Sequence, residues 1–387
     1  MQFLIKGVTY SPRKPDGRPY DKESYIDPLS EDWLPELRKD IPFFHQLGIN
    51  TIFVDHADPT QSPERALQLL QDEGIYVLLE LFTNIQLRDS HRLQAADIDL
   101  ERLYSSSKVR KNLAVVGQTA HFPNVLGYSV SQSEIHSSAS TKLAALHRAA
   151  VRDTKLFLRK SGARQVPVGA NLSSTQQFRH SGLKYMAAGS PEERVDFMSF
   201  AVWDWIGPSS FMISGYKNLC EALAPWPVPM FWSEYGTAYS GRARVLDEVE
   251  CVFSPDMTGT FSGGFLHTFG HTEAKRKVNK SPKQDGNKQA GSDEGSDDDD
   301  SDLDDNGGGY DLVRIDENGT RQPKRDFKLY QQKLVGIAGK PVEEVVGKHE
   351  MKDLEGWRGN FEPRQRFWEA DAADVPVFPL DWAHVVE

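Results

Sequence analysis

Short apolar runs alternate along the chain with segments whose apolar positions recur every three or four residues. Runs at 3–10, 49–54, 75–81, 125–130, 166–170, 195–203, 228–232 and 263–269 each have the length of a strand. Between the first two, Leu34, Leu37, Ile41 and Phe44 fall on one face of a helix. Strands that are apolar almost throughout are buried on both faces, which predicts a parallel sheet covered by helices. Eight such units predict an α/β fold closed as a (β/α)8 TIM barrel. A doubly wound open sheet is the alternative, but no G-x-G-x-x-G follows the first strand.

The stretch 275–309 breaks this rhythm. It begins with Lys275, Arg276, Lys277, Lys280 and Lys283, then turns to serine and aspartate through Ser292–Asp302. Its few apolar positions are too sparse to bury a core, and it is predicted to be disordered. The expected organisation is a barrel over 1–274, this insertion after strand eight over 275–309, the end of the barrel over 310–335, and a tail over 336–387 packed on the barrel. A loop after a barrel strand lies at the C-terminal face, so the insertion is expected beside the mouth. A tolerated surface insertion outweighs a regulatory role, though the acidic run offers a contact for a protein partner.

Of the 387 residues, 39% are hydrophobic and 26% charged, enough apolar material for a large core. The net charge of -11 owes much to the acidic tract, and no basic footprint for nucleic acid is present. No apolar run of about 18 residues exists, so no membrane span is expected. The first residues read as a strand and not as a leader, and the last ones lack a lipid-anchor tail, so a cytoplasmic location is expected. Cys220 and Cys251 are expected as two reduced thiols. Asp55, His56 and Asp58 have a spacing too generic for a metal site, and no metal or cofactor is expected.

Barrel enzymes take their reacting groups from strand ends. Glu234 follows the apolar run at 228–232, and Glu134 lies just past the run at 125–130. Two carboxylates converging on one mouth suit retaining glycoside chemistry, in which one attacks the anomeric carbon and the other serves as acid and then base. Most glutamates at strand ends are rim residues, so spacing alone does not decide this. Trp203 ends a strand and is the best sugar-stacking candidate, whereas Trp205, Trp226 and Trp232 read equally well as core.

Longer stretches carry more information. Ile5-Lys6-Gly7-Val8-Thr9-Tyr10, Arg38-Lys39-Asp40-Ile41-Pro42, Pro123-Asn124-Val125-Leu126-Gly127-Tyr128, Ser233-Glu234-Tyr235-Gly236 and Phe253-Ser254-Pro255-Asp256-Met257 stand in one order along the chain. In them the chain resembles glycoside hydrolase family 72, the fungal β-1,3-glucanosyltransferases, over roughly residues 3 to 330. The resemblance implies a (β/α)8 barrel, retaining transglycosylation on a β-glucan oligosaccharide, and a nucleophile at Glu234. The family's Asn-Glu acid/base pair falls on Gln132 and Ser133 without a gap, and on Ser133 and Glu134 if one residue is inserted. Tyr10, Gln132, Ser133, Trp203, Tyr235 and His267 are the substrate-binding positions the resemblance implies. The chain departs from the family at Phe53 and Asp55 (Arg and Tyr expected), Ala201 (Asn), and Trp203, His267 and Phe269 (Tyr). Such losses of polar contact also fit a catalytically degenerate barrel that binds a glycan or a protein inside the cell.

Overall fold

The computed structural model describes residues 3–14, 25–81, 98–131, 134–172, 175–224, 226, 228–238, 243–270, 309–316, 318–340, 345 and 367–385. The inserted tract expected at 275–309 lies outside them, apart from Gly309. Eight parallel strands close on themselves: β1 (Ile5–Thr9), β2 (Thr51–Val54), β3 (Tyr76–Glu80), β4 (Val125–Ser129), β5 (Val168–Leu172), β6 (Met198–Ala201), β7 (Met230–Tyr235) and β8 (Phe261–Leu266). Closure runs through Ile5 opposite Gly263 to Val8 opposite Leu266. The fold is the predicted barrel.

The helical layer comprises α1 (Leu34–Leu47), α2 (Glu64–Asp72), α3 (Leu100–Leu103), α4 (Ser106–Thr119), α5 (Ala144–Lys160), α6 (Gln176–Ala187), α7 (Tyr216–Leu223), α8 (Glu248–Val252), α9 (Pro255–Thr258) and α10 (Arg325–Ala338). In α1 the predicted stripe of Leu34, Leu37, Ile41 and Phe44 is the buried face. Gly48 ends that helix in the left-handed region, at φ 74°, where its N–H donates to the carbonyls of Phe44 and His45. Among the described residues no helix is long and apolar enough to cross a membrane.

Strand alternation divides the apolar residues into two cores. Ile5, Phe53, Leu78, Phe197, Phe231 and Phe265 fill the barrel interior, with Leu126 against them. The other parity, including Val8, Tyr10, Val54, Leu79, Val125 and Trp232, packs outward under the helices. Residues two beyond an interior side chain therefore reach the mouth.

After β8 the chain returns as a two-stranded antiparallel sheet, β9 (Val313–Ile315) and β10 (Arg321–Pro323), and runs into α10. This return is tied to the first barrel unit. Arg321 Nε donates to Asp40 Oδ1 at 2.7 Å, and its Nη1 donates to Glu36. Tyr10 Oη donates to the other Asp40 oxygen at 2.6 Å. Tyr330 of α10 donates to the Gly7 carbonyl at 3.0 Å. The segment 367–385 lies on the α5–α6 side, where Arg152 donates to the Pro376 carbonyl at 2.9 Å and Tyr185 to that of Asp371 at 2.8 Å.

Asp40 is fully enclosed, and burial raises its pKa while Arg321 and Tyr10 pull it back. Arg321→Met leaves that carboxylate without its cation and is expected to cost about 3–5 kcal/mol near neutral pH. Chemical denaturation at two pH values checks this. Because Asp40 is neutralised on acidification, the loss must shrink as pH falls, and a pH-independent loss would sink the assignment.

Candidate active site

Glu234 sits at the end of β7, and a local irregularity of that strand aims it. Trp232 and Tyr235 both pack in the outer core although they are three apart. Regular alternation would put them on opposite faces, so the register between them shifts, as the pairing with Gly264 and Leu266 of β8 records. The two residues left between them, Ser233 and Glu234, face the barrel. Ser233 is buried and donates to Asn171 Oδ1 at 2.7 Å. Glu234 keeps a third of its side chain open to solvent.

Around it stand side chains from neighbouring strands. His267, one residue past β8, places Nδ1 4.0 Å from Glu234 Oε1 and 3.1 Å from Thr9 Oγ1. Trp203, His267 and Tyr310 form an edge-to-face cluster, with ring centroids 5.6 Å apart for Trp203–His267, 5.6 Å for Trp203–Tyr310 and 5.1 Å for His267–Tyr310. Asp55, two residues beyond the interior Phe53, acts on Glu234 through its charge. Burial, and secondly that charge, push the Glu234 carboxyl up to about 7. Glu80, two residues beyond the interior Leu78, is a buried acid at the end of β3. Ser131 accepts from the Asn171 N–H and donates to its carbonyl, both at 2.7 Å, fixing β4 against β5 below the mouth.

The expected site residues divide. Glu234, Trp203 and His267 come together. Tyr10 does not join them: it has the outward parity, and its hydroxyl is engaged by Asp40 and by Trp33 Nε1 at 3.0 Å. Its neighbour Thr9 faces the mouth instead. Tyr235 is likewise corrected to the outer core, fully buried with its hydroxyl 3.2 Å from that of Tyr330. Glu134 is fully buried, not open at the mouth. Its Oε2 lies 3.3 Å from Nε2 of His147, an equally enclosed residue of α5, without the alignment of a hydrogen bond. Gln132 and Ser133 lie outside the described residues.

Asp55 and Glu80 had a readable signal, the parity set by Phe53 and Leu78. Tyr310 had none, because it lies far along the chain from Thr268, whose N–H donates to its carbonyl.

Fold and site together define a barrel with a buried-edge carboxylate and an aromatic wall at its C-terminal face, the general form of a glycoside-processing enzyme. The chain belongs to glycoside hydrolase family 72, described as glucanosyltransferase, which matches residues 1–290. The 1,3-beta-glucanosyltransferase gas1 of Schizosaccharomyces pombe is 31% identical over 70% of this chain and 48% of its own length. A 1,3-beta-glucanosyltransferase of Arthroderma benhamiae is 32% identical over 70% of this chain and 48% of its own. The chain thus spans about half the length of the curated relatives it matches. Crystal structures of Saccharomyces cerevisiae Gas2 share the fold, at TM-score 0.73 and 24% identity over 99% of this chain and 74% of that one.

If Glu234 reacts as a carboxylate, kcat/KM must rise as pH passes upward through about 7, where the group ionises. Asp55→Asn removes the second cause of the shift and leaves the first. The midpoint of the acidic limb is therefore expected to move to lower pH, measured on oligosaccharide turnover between about pH 5 and 8. An unmoved midpoint would show that Asp55 does not act on Glu234.

Proposed function

We propose that this chain is a retaining β-1,3-glucanosyltransferase that cleaves a β-1,3-glucan and transfers the fragment to an acceptor glucan. The observation that carries this is Glu234, turned into the mouth by the β7 irregularity in a chain of the glucanosyltransferase family. Its carboxylate attacks the anomeric carbon, forming a glycosyl ester as the leaving oxygen takes a proton. An acceptor hydroxyl then gives up its proton and attacks the same carbon, which frees Glu234. Trp203, His267 and Tyr310 supply an aromatic wall for the sugar rings.

The acid/base assignment to Glu134 requires its side chain to turn away from His147. Asp55 is the second candidate, because its charge already reaches Glu234. The substrate of this reading fits a cell-surface location and departs from the cytoplasmic one expected above. The burial of Glu134 favours a second reading, a degenerate barrel that holds a glycan or protein partner without turnover.

Incubation with reduced laminari-oligosaccharides is expected to yield longer and shorter products together, and Glu234→Gln to abolish both. Binding without any product from the unaltered protein would favour the second reading. Glu134→Gln and Asp55→Asn separate the candidate acids. The variant that loses about 100-fold or more on oligosaccharide, yet much less on an aryl glucoside with a good leaving group, marks the proton donor.

A further inference from the structure

Arg244 has no part in the reaction written above, yet it is among the most enclosed cations of the fold, 3% exposed. Its Nε donates to Asp326 Oδ2 of α10 at 2.7 Å. Nη1 donates to the carbonyls of His267 at 2.7 Å and of Gly236 at 3.2 Å, and Nη2 to that of Tyr310 at 2.8 Å. The guanidinium also lies 5.7 Å from the centre of the Tyr310 ring. Gly236 is two residues beyond Glu234, His267 lies one residue past β8 with Nδ1 4.0 Å from Glu234 Oε1, and Tyr310 completes the aromatic wall.

We propose that Arg244 is a positioning residue for catalysis, holding three separate segments of the mouth in register around Glu234. The proposal rests on the glucanosyltransferase reading for its reaction, but its geometry is independent of substrate. A planar fork with donors in fixed directions can bridge three carbonyls and a carboxylate at once. A lysine at the same place keeps the charge opposite Asp326 but cannot span all three segments. Without the fork, the carbonyls of Gly236, His267 and Tyr310 lose their common donor, and the wall is free to drift relative to the nucleophile. A misplacement of this kind acts on the chemical step more than on ground-state binding.

Arg164 provides a control at the opposite end of the barrel, more exposed than Arg244 but likewise shared among three backbone carbonyls. It donates to the carbonyls of Ala120, Phe122 and Val125 where β4 begins, at 3.0, 2.8 and 2.7 Å. The experiment compares Arg244→Lys and Arg164→Lys in the full chain, at a temperature well below either melting transition. Arg244→Lys is expected to lower kcat about 10- to 100-fold with KM changed much less. Arg164→Lys is expected to stay within about twofold of the parent in kcat. Hydrogen exchange supplies a second reading. The N–H of Thr268, bonded to the Tyr310 carbonyl, and that of Leu312, bonded to Thr268, should exchange faster in Arg244→Lys alone. Equal loss of kcat in both variants, or a kcat for Arg244→Lys within about twofold of the parent, overturns the proposal. If the unaltered protein forms no product, the glucanosyltransferase reading fails. The exchange measurement then decides, and unchanged protection at Thr268 and Leu312 overturns the positioning role.

Discussion

Closure of the eight-stranded sheet is the constraint on which every other feature rests. Pairing β8 with β1 brings two strands from the ends of the barrel within hydrogen-bonding distance, and glycine makes the approach possible. A side chain at Gly7 would collide with the Phe265 ring, and one at Gly263 with the Ile5 carbonyl. With closure fixed, parity does the rest. One residue in two points inward, the interior fills with Phe53, Phe197, Phe231, Phe265 and their neighbours, and the next inward residues can only face the mouth. Thr9, Asp55, Glu80 and Asn171 are placed by this rule before any function is considered.

Glu234 is the exception to that parity, and the exception gives it its chemistry. The shifted register of β7 turns two consecutive residues inward, so Ser233 can lock onto Asn171 while Glu234 stands above it with an open edge. An acid there is pushed in one direction: enclosure by protein disfavours its charge, and so does Asp55. The result, a carboxyl pushed up to about 7, ionises within the range where small changes of environment decide its state. Where the family resemblance leads one to expect a tyrosine, Asp55 places a carboxylate, whose charge changes the field at Glu234.

Much of this was legible in the sequence, and the misses have identifiable causes. The eight apolar runs mark the eight strands because parallel strands buried on both faces cannot hide their composition. Alternation places Tyr10 outward, one residue past the inward Thr9, whereas Tyr235 faces out only because the register of β7 shifts, which no alternation pattern in the sequence shows. Glu134 is a different case. Its neighbour His147 lies on α5, and no local pattern fixes the rotation of a helix about the strand it covers. Tyr310 was invisible because its partners Trp203 and His267 belong to β-units that precede the insertion.

The insertion itself becomes intelligible through its two ends. On either side of it the backbone is stitched: Thr268 N–H to the Tyr310 carbonyl at 3.1 Å, Leu312 N–H to that of Thr268 at 3.1 Å, and Val313 N–H to that of Phe269 at 2.9 Å. Such bonds set the separation of the ends regardless of what lies between them. Loop-closure entropy then grows only with the logarithm of length, so each doubling of the loop costs about 0.6 kcal/mol. A chain of any length between these ends therefore disturbs them little, provided that the stitched ends are themselves anchored. Arg244 and Arg321 supply that anchorage, the first to the walls of the site and the second to α1.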